Sequence, residues 1–141
     1  DKVILFLALT RFLEDWNASA EVSARFYSDS FGIAAQTYEL AWCQKMSTTF
    51  ILRPVVRFYD QSAADFYAVR FSGEPDVYSS DYRLSAMSAF GYGLKGIWSP
   101  TSRFSLDAAY DRYQQKGKDG ETSADAYPSA NVITIGVRIW F

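Results

Sequence analysis

The clearest signal of fold class is the stretch Asn131-Val-Ile-Thr-Ile-Gly-Val-Arg-Ile-Trp-Phe141, because its large apolar side chains recur at every second position. Successive side chains of a β-strand point to opposite faces, so the stretch predicts a strand with one apolar face and one mixed face. The mixed face carries Thr134, Gly136 and Arg138. A tilted strand of roughly 9–11 residues is long enough to cross a membrane. The apolar row consists of Ile133, Ile135, Val137, Ile139 and Phe141.

This apolar row ends on the aromatic Phe141, and in this it resembles the C-terminal signal strand of Gram-negative outer-membrane β-barrels. In those proteins the terminal Phe is read by the barrel assembly machinery. The resemblance implies that the row is an assembly signal and that the machinery is a partner. A soluble antiparallel sheet alternates in the same way, so the other segments are needed to distinguish a soluble sheet from a membrane barrel.

The bulk composition fits one domain over residues 1–141 and excludes several classes of protein. The net charge of −2 provides no basic field for nucleic acid. The sequence has no run of about 18 apolar residues, so it predicts no transmembrane helix. The mean hydropathy of −0.12 does not argue against a membrane barrel, because a wall that alternates in polarity has an unremarkable average. The single cysteine, Cys43, cannot form an internal disulfide.

Six further segments alternate in polarity or are continuously apolar, and each predicts an antiparallel strand. The first is apolar at nearly every position, so a short buried helix fits it nearly as well. Pro54, in the fourth segment, must leave one position of the ladder without a donor. In the fifth segment, Gly91, Gly93 and Gly96 predict a bend or a close backbone approach. The segments are Lys2–Phe12, Ala18–Asp29, Ala34–Met46, Phe50–Asp60, Tyr82–Trp98 and Arg103–Tyr113.

Charged residues occupy the row opposite the apolar side chains in most of these segments. In a soluble protein the apolar rows would form the core, whereas in a membrane barrel lipid would cover them and the charged rows would line the interior. Alternation alone does not separate these two arrangements. The candidate lining residues are Glu21, Arg25, Glu39, Arg53, Arg57, Arg83, Lys95, Asp107, Asp111 and Arg138.

The lengths of the connections favour the membrane arrangement. If the strands run antiparallel, the short connections fall at one end of the sheet and the long loops fall at the other. Short turns on one side and long external loops on the other are typical of outer-membrane barrels. Within the first long loop, Phe66–Phe71 is predicted to extend as a short hairpin. The short connections are 14–17, 47–49 and 99–102, and the long external loops are about 61–81 and 114–130.

The tryptophans gather at the short-turn end of the predicted sheet, and tyrosines gather near the opposite end. Two aromatic belts separated by an aliphatic band are what two membrane–water interfaces select. A soluble barrel gives no reason for tryptophan to prefer one end. The predicted interface aromatics are Trp16, Trp42, Trp98, Trp140 and Phe141, and the tyrosines of the other belt are Tyr27, Tyr59, Tyr82, Tyr110 and Tyr113.

The predicted number of strands raises a problem of parity. With Phe141 on the periplasmic side, seven strands place the start of the first strand outside, whereas single-chain bacterial barrels normally have an even number. Either one strand is misassigned or the chain is the C-terminal part of a larger barrel, and the abrupt apolar start after Asp1 favours the second explanation. A stand-alone eight-stranded barrel is the remaining alternative.

Four segments, Ala24–Ser30, Arg57–Tyr67, Tyr78–Ser85 and Ala126–Asn131, resemble an uncharacterised family of predicted Gram-negative outer-membrane proteins, the domain-of-unknown-function family 3570. The likeness runs from about Trp16 to the end of the sequence and would match the C-terminal portion of longer members. It implies a barrel and an outer-membrane location. It implies no activity, and it transfers no catalytic residue to this chain.

The arginines of the charged rows admit two interpretations. An Arg-Phe-Tyr unit recurs at 25–27 and 57–59, at the outer ends of two strands. Such arginines could line a lumen and favour anions or polar solutes. Alternatively, they pair with Glu21, Glu39, Asp107 and Asp111 in a network that fills a narrow barrel, because buried charges are costly unless they are paired.

The sequence carries little catalytic or metal-binding chemistry. Histidine is absent, which removes Ser–His and Cys–His catalysis and His-ligated metals, so we predict no enzyme activity, no metal site and no cofactor. For Cys43, beside Lys45 in the inward row, we expect a packing role. The acidic loop 118–125 could bind Ca²⁺, and so could Asp76 with Asp81, but neither has the spacing of a calcium loop.

The sequence therefore predicts an all-β protein: an antiparallel transmembrane β-barrel, or the C-terminal seven or so strands of a larger one, in the Gram-negative outer membrane. We expect a passive pore, transport or scaffold barrel with a charged lumen, embedded in the lipid bilayer and without nucleic acid as a partner. Further strands or a protein partner would complete or plug it. The alternatives are a soluble lipocalin-like ligand-binding barrel and, ranked last, an outer-membrane enzyme.

Overall fold

A computed structural model describes residues 1–73 and 77–141, and its architecture is one antiparallel β-sheet. In these two ranges seven strands follow one another in chain order, each hydrogen-bonded to the next. The predicted all-β, antiparallel fold is confirmed. The strands are β1 (Lys2–Leu13), β2 (Ala18–Asp29), β3 (Ala34–Lys45), β4 (Phe50–Gln61), β5 (Met87–Thr101), β6 (Phe104–Gly117) and β7 (Ser129–Ile139).

The sheet is open in the part of the chain that the structure describes. Strands β1 and β7 lie at its two edges and do not pair with each other. Because every neighbouring pair is antiparallel, β1 and β7 run in the same direction. The described strands therefore form a sheet with two free edges and not a closed barrel.

Most predicted strand limits lie within a few residues of the observed ones, and the largest error is at the start of β5. This strand begins at Met87, whereas the prediction began at Tyr82. Tyr82–Leu84 forms a 3₁₀ turn instead, and the Asp81 carboxylate accepts a hydrogen bond from the Arg83 backbone N–H at 3.0 Å. A side chain that satisfies the backbone locally offers it an alternative to the ladder of a sheet, which explains the error.

The hairpin prediction and the assignment of β1 have opposite outcomes. The hairpin predicted for Phe66–Phe71 is wrong, because Tyr67 makes an isolated parallel bridge to Ser79. The continuously apolar β1 is a strand and not a short helix. The turn after it contains a 3₁₀ segment, Glu14–Trp16, and ends at Asn17 with φ of 47°, which asparagine tolerates better than most residues. A third 3₁₀ turn spans Ala124–Ala126.

Pro54 interrupts the ladder between β3 and β4, as predicted. The paired residues run to Ala41–Val55 and resume at Gln44–Leu52, with Pro54 in the gap. On its other side Pro54 remains in register with Leu94 of β5. Because proline has no backbone N–H to donate, the ladder is interrupted at this residue. In the two described ranges, no helix has the length and apolarity needed to span a bilayer.

The two faces of the sheet differ in polarity and in exposure. The apolar face includes the cross-strand row Leu9, Val22, Leu40 and Val56, and all four side chains are at least half exposed or nearly so. The charged face is the more sheltered of the two near its short-turn end, where Ala41, Ser105 and Asp107 are buried, whereas Arg25, Arg57 and Arg138 on the same face are exposed. The charged face carries Glu21, Arg25, Glu39, Arg53, Arg57, Lys95, Asp107, Asp111 and Arg138.

Candidate functional site

The charged face brings side chains from several strands together, because cross-strand partners in an antiparallel sheet lie on the same face. Glu39 of β3 is in register with Arg57 of β4, and Arg57 with Gly91 of β5. Asp107 of β6 faces Gly136 of β7. Predicted lining residues that are far apart in sequence are therefore neighbours on this face.

Arg83 is the exception among the predicted lining residues. It lies in the 3₁₀ turn before β5, its side chain is 72% exposed, and its guanidinium binds the Asp81 carboxylate at 2.5 Å. Its assignment to the inward row of a strand is therefore wrong. The side-chain and backbone hydrogen bonds from Arg83 lower the pKa of Asp81 to about 2.

One ion cluster lies near the short-turn end of the charged face. Arg53 Nη2 is 2.8 Å from Glu21 Oε2 and 3.8 Å from Glu39 Oε1. Since Glu21 is on β2 and Arg53 on β4, the first contact reaches across β3. Ala41, the β3 residue opposite Glu21, is 1% exposed and its small side chain leaves room for this bridge. Cys43 Sγ lies 3.7 Å from Glu21 Oε1, as a weak donor in the same cluster.

A second ion cluster joins β5, β6 and β7. Lys95 Nζ is 2.7 Å from Asp107 Oδ2, and Arg138 Nη2 is 3.7 Å from Asp107 Oδ1. Gly136 faces the buried carboxylate, and a Cβ at that position would lie 2.8 Å from Asp107 Oδ1. Arg53 and Arg138 thus agree with the interpretation of the charged rows as a paired network.

Arg25, Arg57 and Asp111 lie toward the long-loop end and behave differently. In residues 1–73 and 77–141, none of the three has an opposite charge within 4.0 Å. Arg57 and Asp111 line a groove of about 470 Å³, and Arg25 lines a neighbouring hollow of about 260 Å³. Tyr59 lines both spaces. This half of the charged face therefore keeps polar groups available for a ligand.

The groove has glycine on its floor and polar side chains on its walls. Glu39 and Arg57 line one side, and Asp111 and Gln115 line the other. Its volume falls within the range of roughly 300–1,000 Å³ that is common for small-molecule sites. A groove of this kind can bind a polar solute.

Two glycines of β5 contribute to the groove in different ways. A Cβ at Gly93 would lie 1.9 Å from Asp111 Oδ1 and 3.2 Å from the Tyr110 backbone oxygen, so a side chain there would displace the Asp111 carboxylate from its present position. A Cβ at Gly91 would meet only ordinary contacts at 3.5 Å. Gly91 is therefore not required by packing, and its effect is to leave the floor of the groove empty.

Gln115 is a site residue that the sequence prediction missed. Its Oε1 atom is buried and has no hydrogen-bond partner in the described part of the chain. A buried acceptor without a donor is costly, and since Gln115 also lines the groove, a ligand group there could supply the donor if the side chain turns toward it. The strand was predicted to end at Tyr113, whereas β6 continues to Gly117. Extending the alternation from Asp111 would have placed Gln115 on the charged face.

A small polar core holds the two long loops together. Gln61 Nε2 donates to the carbonyl oxygens of Arg83 and Ser85 at 2.9 and 2.8 Å. Ser85 Oγ contacts the Tyr127 hydroxyl at 2.6 Å, and the Tyr127 ring packs edge-on against Tyr82. Because Gln61, Ser85 and Tyr127 are all buried, these contacts fix the loops on top of the sheet.

The acidic loop satisfies its own carboxylate. Asp119 accepts hydrogen bonds from Thr122 Oγ1 at 2.5 Å and from the backbone N–H of Thr122 at 3.1 Å, and these bonds lower its pKa. Within the described ranges, no group of three or more His, Cys, Asp or Glu residues is placed to hold a metal ion. Asp76, the other suggested calcium ligand, lies outside the described residues.

The tryptophans lie at the short-turn end of the sheet. The rings of Trp16 and Trp42 are 5.6 Å apart, and Trp98 packs edge-on against Phe104. The Trp140 backbone N–H donates to Arg103 O at 3.0 Å, beside the turn between β5 and β6. Tyr27 and Tyr59 lie on the charged face at the opposite end, where their hydroxyls donate to neighbouring side chains.

Comparison with known proteins gives one result. A profile of the family described as "Protein of unknown function (DUF3570)" matches residues 2–135, which include β1 to β6 and much of β7. The chain belongs to this family. The match extends further toward the start than the expected likeness from Trp16. No curated protein and no solved structure matches the chain.

Proposed function

We propose that this chain forms the wall of an outer-membrane β-barrel in a Gram-negative cell and acts as a passive pore, transport or scaffold barrel. In this proposal the apolar face contacts lipid and the charged face lines the lumen. The observation that carries it is the reversed burial of the two faces. Ile133 and Ile135 are 74% and 71% exposed, whereas the carboxylate of Asp107 is sheltered.

Lipid removes the energetic cost of this exposure. Water-soluble monomers rarely expose a contiguous apolar patch larger than a few hundred Å². The exposed apolar rows of β1, β2 and β3 lie side by side, and β7 carries a similar row at the other edge of the sheet. Removing this apolar surface from water is favourable by roughly 25 cal/mol per Å². A soluble lipocalin-like barrel would need to shelter these rows inside, and the burial pattern supports the opposite arrangement.

Closure of the barrel would require further strands. Outer-membrane barrels pair their strands antiparallel, and a backbone edge exposed to lipid is not tolerated. Since β1 and β7 run in the same direction, an odd number of additional strands would close the ring with antiparallel pairs throughout. Ile4 and Phe6 of β1 are exposed on the charged face, which suits a covering strand or plug.

The ends of the sheet support the same orientation. The tryptophans at the short-turn end would form the periplasmic aromatic belt, and the long loops would lie outside the cell. The row that ends at Phe141, whose side chain is fully exposed, is available to the barrel assembly machinery. The absence of histidine from the sequence and the mixed groove favour passive binding over catalysis.

Cysteine accessibility tests the orientation of the two faces. In the full-length chain with Cys43→Ser, Ile135→Cys and Thr134→Cys place a thiol on the apolar and the charged face of β7. We expect a water-soluble maleimide to label Thr134→Cys and not Ile135→Cys in native outer membranes, with both labelled after denaturation. Efficient labelling of Ile135→Cys in the membrane would refute the lipid-facing assignment.

Bilayer conductance of the same full-length chain separates a pore from a scaffold. A pore gives discrete conductance steps that respond to charge changes on the lumen wall. Replacing Arg57 by Glu should then shift ion selectivity toward cations. A protein that inserts but never conducts would be a scaffold or a plugged barrel.

A further inference from the structure

We propose that the groove between β4 and β6 binds a neutral, hydroxyl-rich solute such as a short saccharide. The proposal rests on the proposed function in one respect: the groove opens on the face assigned to the lumen, through which a solute would arrive. The groove is defined by Glu39, Arg57, Tyr59, Asp111, Tyr113 and Gln115, with Gly91 on its floor.

The first argument is that no packing contact requires the glycine on the floor of the groove. Glycine in a strand interior weakens the strand, and alanine at position 91 would make only ordinary van der Waals contacts at 3.5 Å. The backbone there does not adopt the left-handed conformation that glycine alone favours. A larger side chain on this floor would occupy the volume between Arg57 and Tyr113, the residues with which Gly91 is in register.

The second argument is the hydrogen-bonding capacity of the walls. The carboxylates of Glu39 and Asp111 accept hydrogen bonds, Arg57 donates them, and the buried Gln115 Oε1 needs a donor that the described protein atoms do not provide. A hydroxyl group both donates and accepts. A solute with several hydroxyls can therefore satisfy both kinds of wall, and a turn of the Gln115 side chain toward the groove would bring its amide oxygen within reach of the solute.

The third argument is the balance of charge and apolar surface. Two arginines line the groove, but the guanidinium of Arg112 donates to Asn131 Oδ1 at 3.0 Å. On the charged face Arg57 therefore lies among two carboxylates, so a fully anionic solute meets Glu39 and Asp111 and a fully cationic solute meets Arg57. Tyr59 and Tyr113 add ring surface on both sides of the groove, against which the apolar C–H face of a sugar ring can pack. A neutral and amphipathic ring is the class of solute that fits all three features.

Direct binding tests the proposal without requiring transport. The purified full-length chain in detergent micelles would be titrated with maltose, citrate and spermidine as neutral, anionic and cationic probes, using calorimetry. We expect maltose to bind and the two charged probes to bind at least about tenfold more weakly, as expected where one buried group of the wrong charge is left unpaired. Absence of maltose binding, or a preference for either charged probe, would overturn the proposal.

Two variants locate the binding. Gly91→Val should abolish maltose binding by filling the floor, whereas the control Ala108→Val, which adds bulk to the exposed apolar face of β6, should leave it unchanged. Gln115→Leu should weaken binding about fivefold to tenfold, the equivalent of one hydrogen bond, without lowering the unfolding midpoint, because its acceptor is unpaired in the free protein. Unchanged affinity in Gln115→Leu and in a folded Gly91→Val would refute the site.

The two proposals can fail separately. If Ile135→Cys is labelled in membranes while maltose still binds and Gly91→Val abolishes it, the membrane assignment is wrong and the groove remains a saccharide site. If the labelling supports the membrane assignment but maltose does not bind, the barrel stands and the saccharide site is wrong.

Discussion

The apolar and charged faces of this sheet are formed by alternate residues of the same strands, and they differ in solvent exposure. On β7, Ile135 is largely exposed, while the charged face beside it, at Gly136, covers the carboxylate of Asp107. In a water-soluble sandwich the exposures would be reversed. In the described strands the buried carboxylate and its ion pairs lie on the polar side, and under our proposal lipid covers the apolar side.

The charged face is itself divided into two halves. Near the short-turn end, Arg53 and Lys95 are each within 2.8 Å of a carboxylate. Toward the long-loop end, Arg57 and Asp111 line an open groove. The paired half has the character of a structural network, and the groove has the character of a binding surface. Variants that affect one half and spare the other can test this division.

The largest effect is expected from Asp107→Ala in the paired half. It would leave Lys95 without its partner at 2.7 Å, and removing one member of a buried ion pair costs about 3–5 kcal/mol. The control is Asp111→Ala on the same strand, which should change stability little. Urea unfolding in lipid vesicles measures both. Equal losses in the two variants would contradict the division of the charged face.

The contrast between the faces predicts the next largest effect. Ile135→Arg should cost roughly 2–4 kcal/mol if this position faces the bilayer midplane. Thr134→Arg, one residue away on the charged face, is the matched control and should cost little. The same unfolding assay compares them. A near-neutral Ile135→Arg would count against the lipid-facing assignment.

A smaller effect is expected in the polar core under the loops. Ser85 Oγ donates to Tyr82 O at 2.6 Å, so the Tyr127 hydroxyl is the donor in its contact with Ser85. Tyr127→Phe should therefore cost about 1 kcal/mol and increase hydrogen exchange in the loop that precedes β5. The exposed Tyr78→Phe is the control. Unaltered exchange in Tyr127→Phe would show that this contact does not hold the loops.

The strands were largely predictable because alternation is a local signal. The limits of β2, Ala18–Asp29, are the same in the prediction and the structure, since its two faces differ clearly in polarity. The start of β5 was not predictable from alternation, because the side chain of Asp81 stabilises a turn that keeps the same spacing of polar and apolar residues.

The charged face was predictable as a set of residues, but its pairings were not. The contact between Glu21 and Arg53 reaches across an intervening strand, and alternation within each strand carries no information about such a pair. Arg57 is in register with Glu39 on one side and with Gly91 on the other, yet Glu39 contacts Arg53 at 3.8 Å and not Arg57. Both the network and the groove thus follow from register, which a single sequence specifies only weakly.

The smallest predicted effect concerns Asp81, in the exposed loop before β5, and it is local to that loop. Arg83 lowers the pKa of Asp81 to about 2, below the value of about 3.9 for an unperturbed carboxyl. Because the folded pKa is lowered, the contact stabilises the turn above about pH 4 and is lost as the pH falls through about 2. A carbon-detected NMR titration should show this pKa in the native chain and an upward shift in Arg83→Gln. Arg70→Gln, elsewhere in the same loop, is the control and should leave the titration of Asp81 unchanged; a low pKa that persists in Arg83→Gln would show that the backbone N–H alone holds the carboxylate.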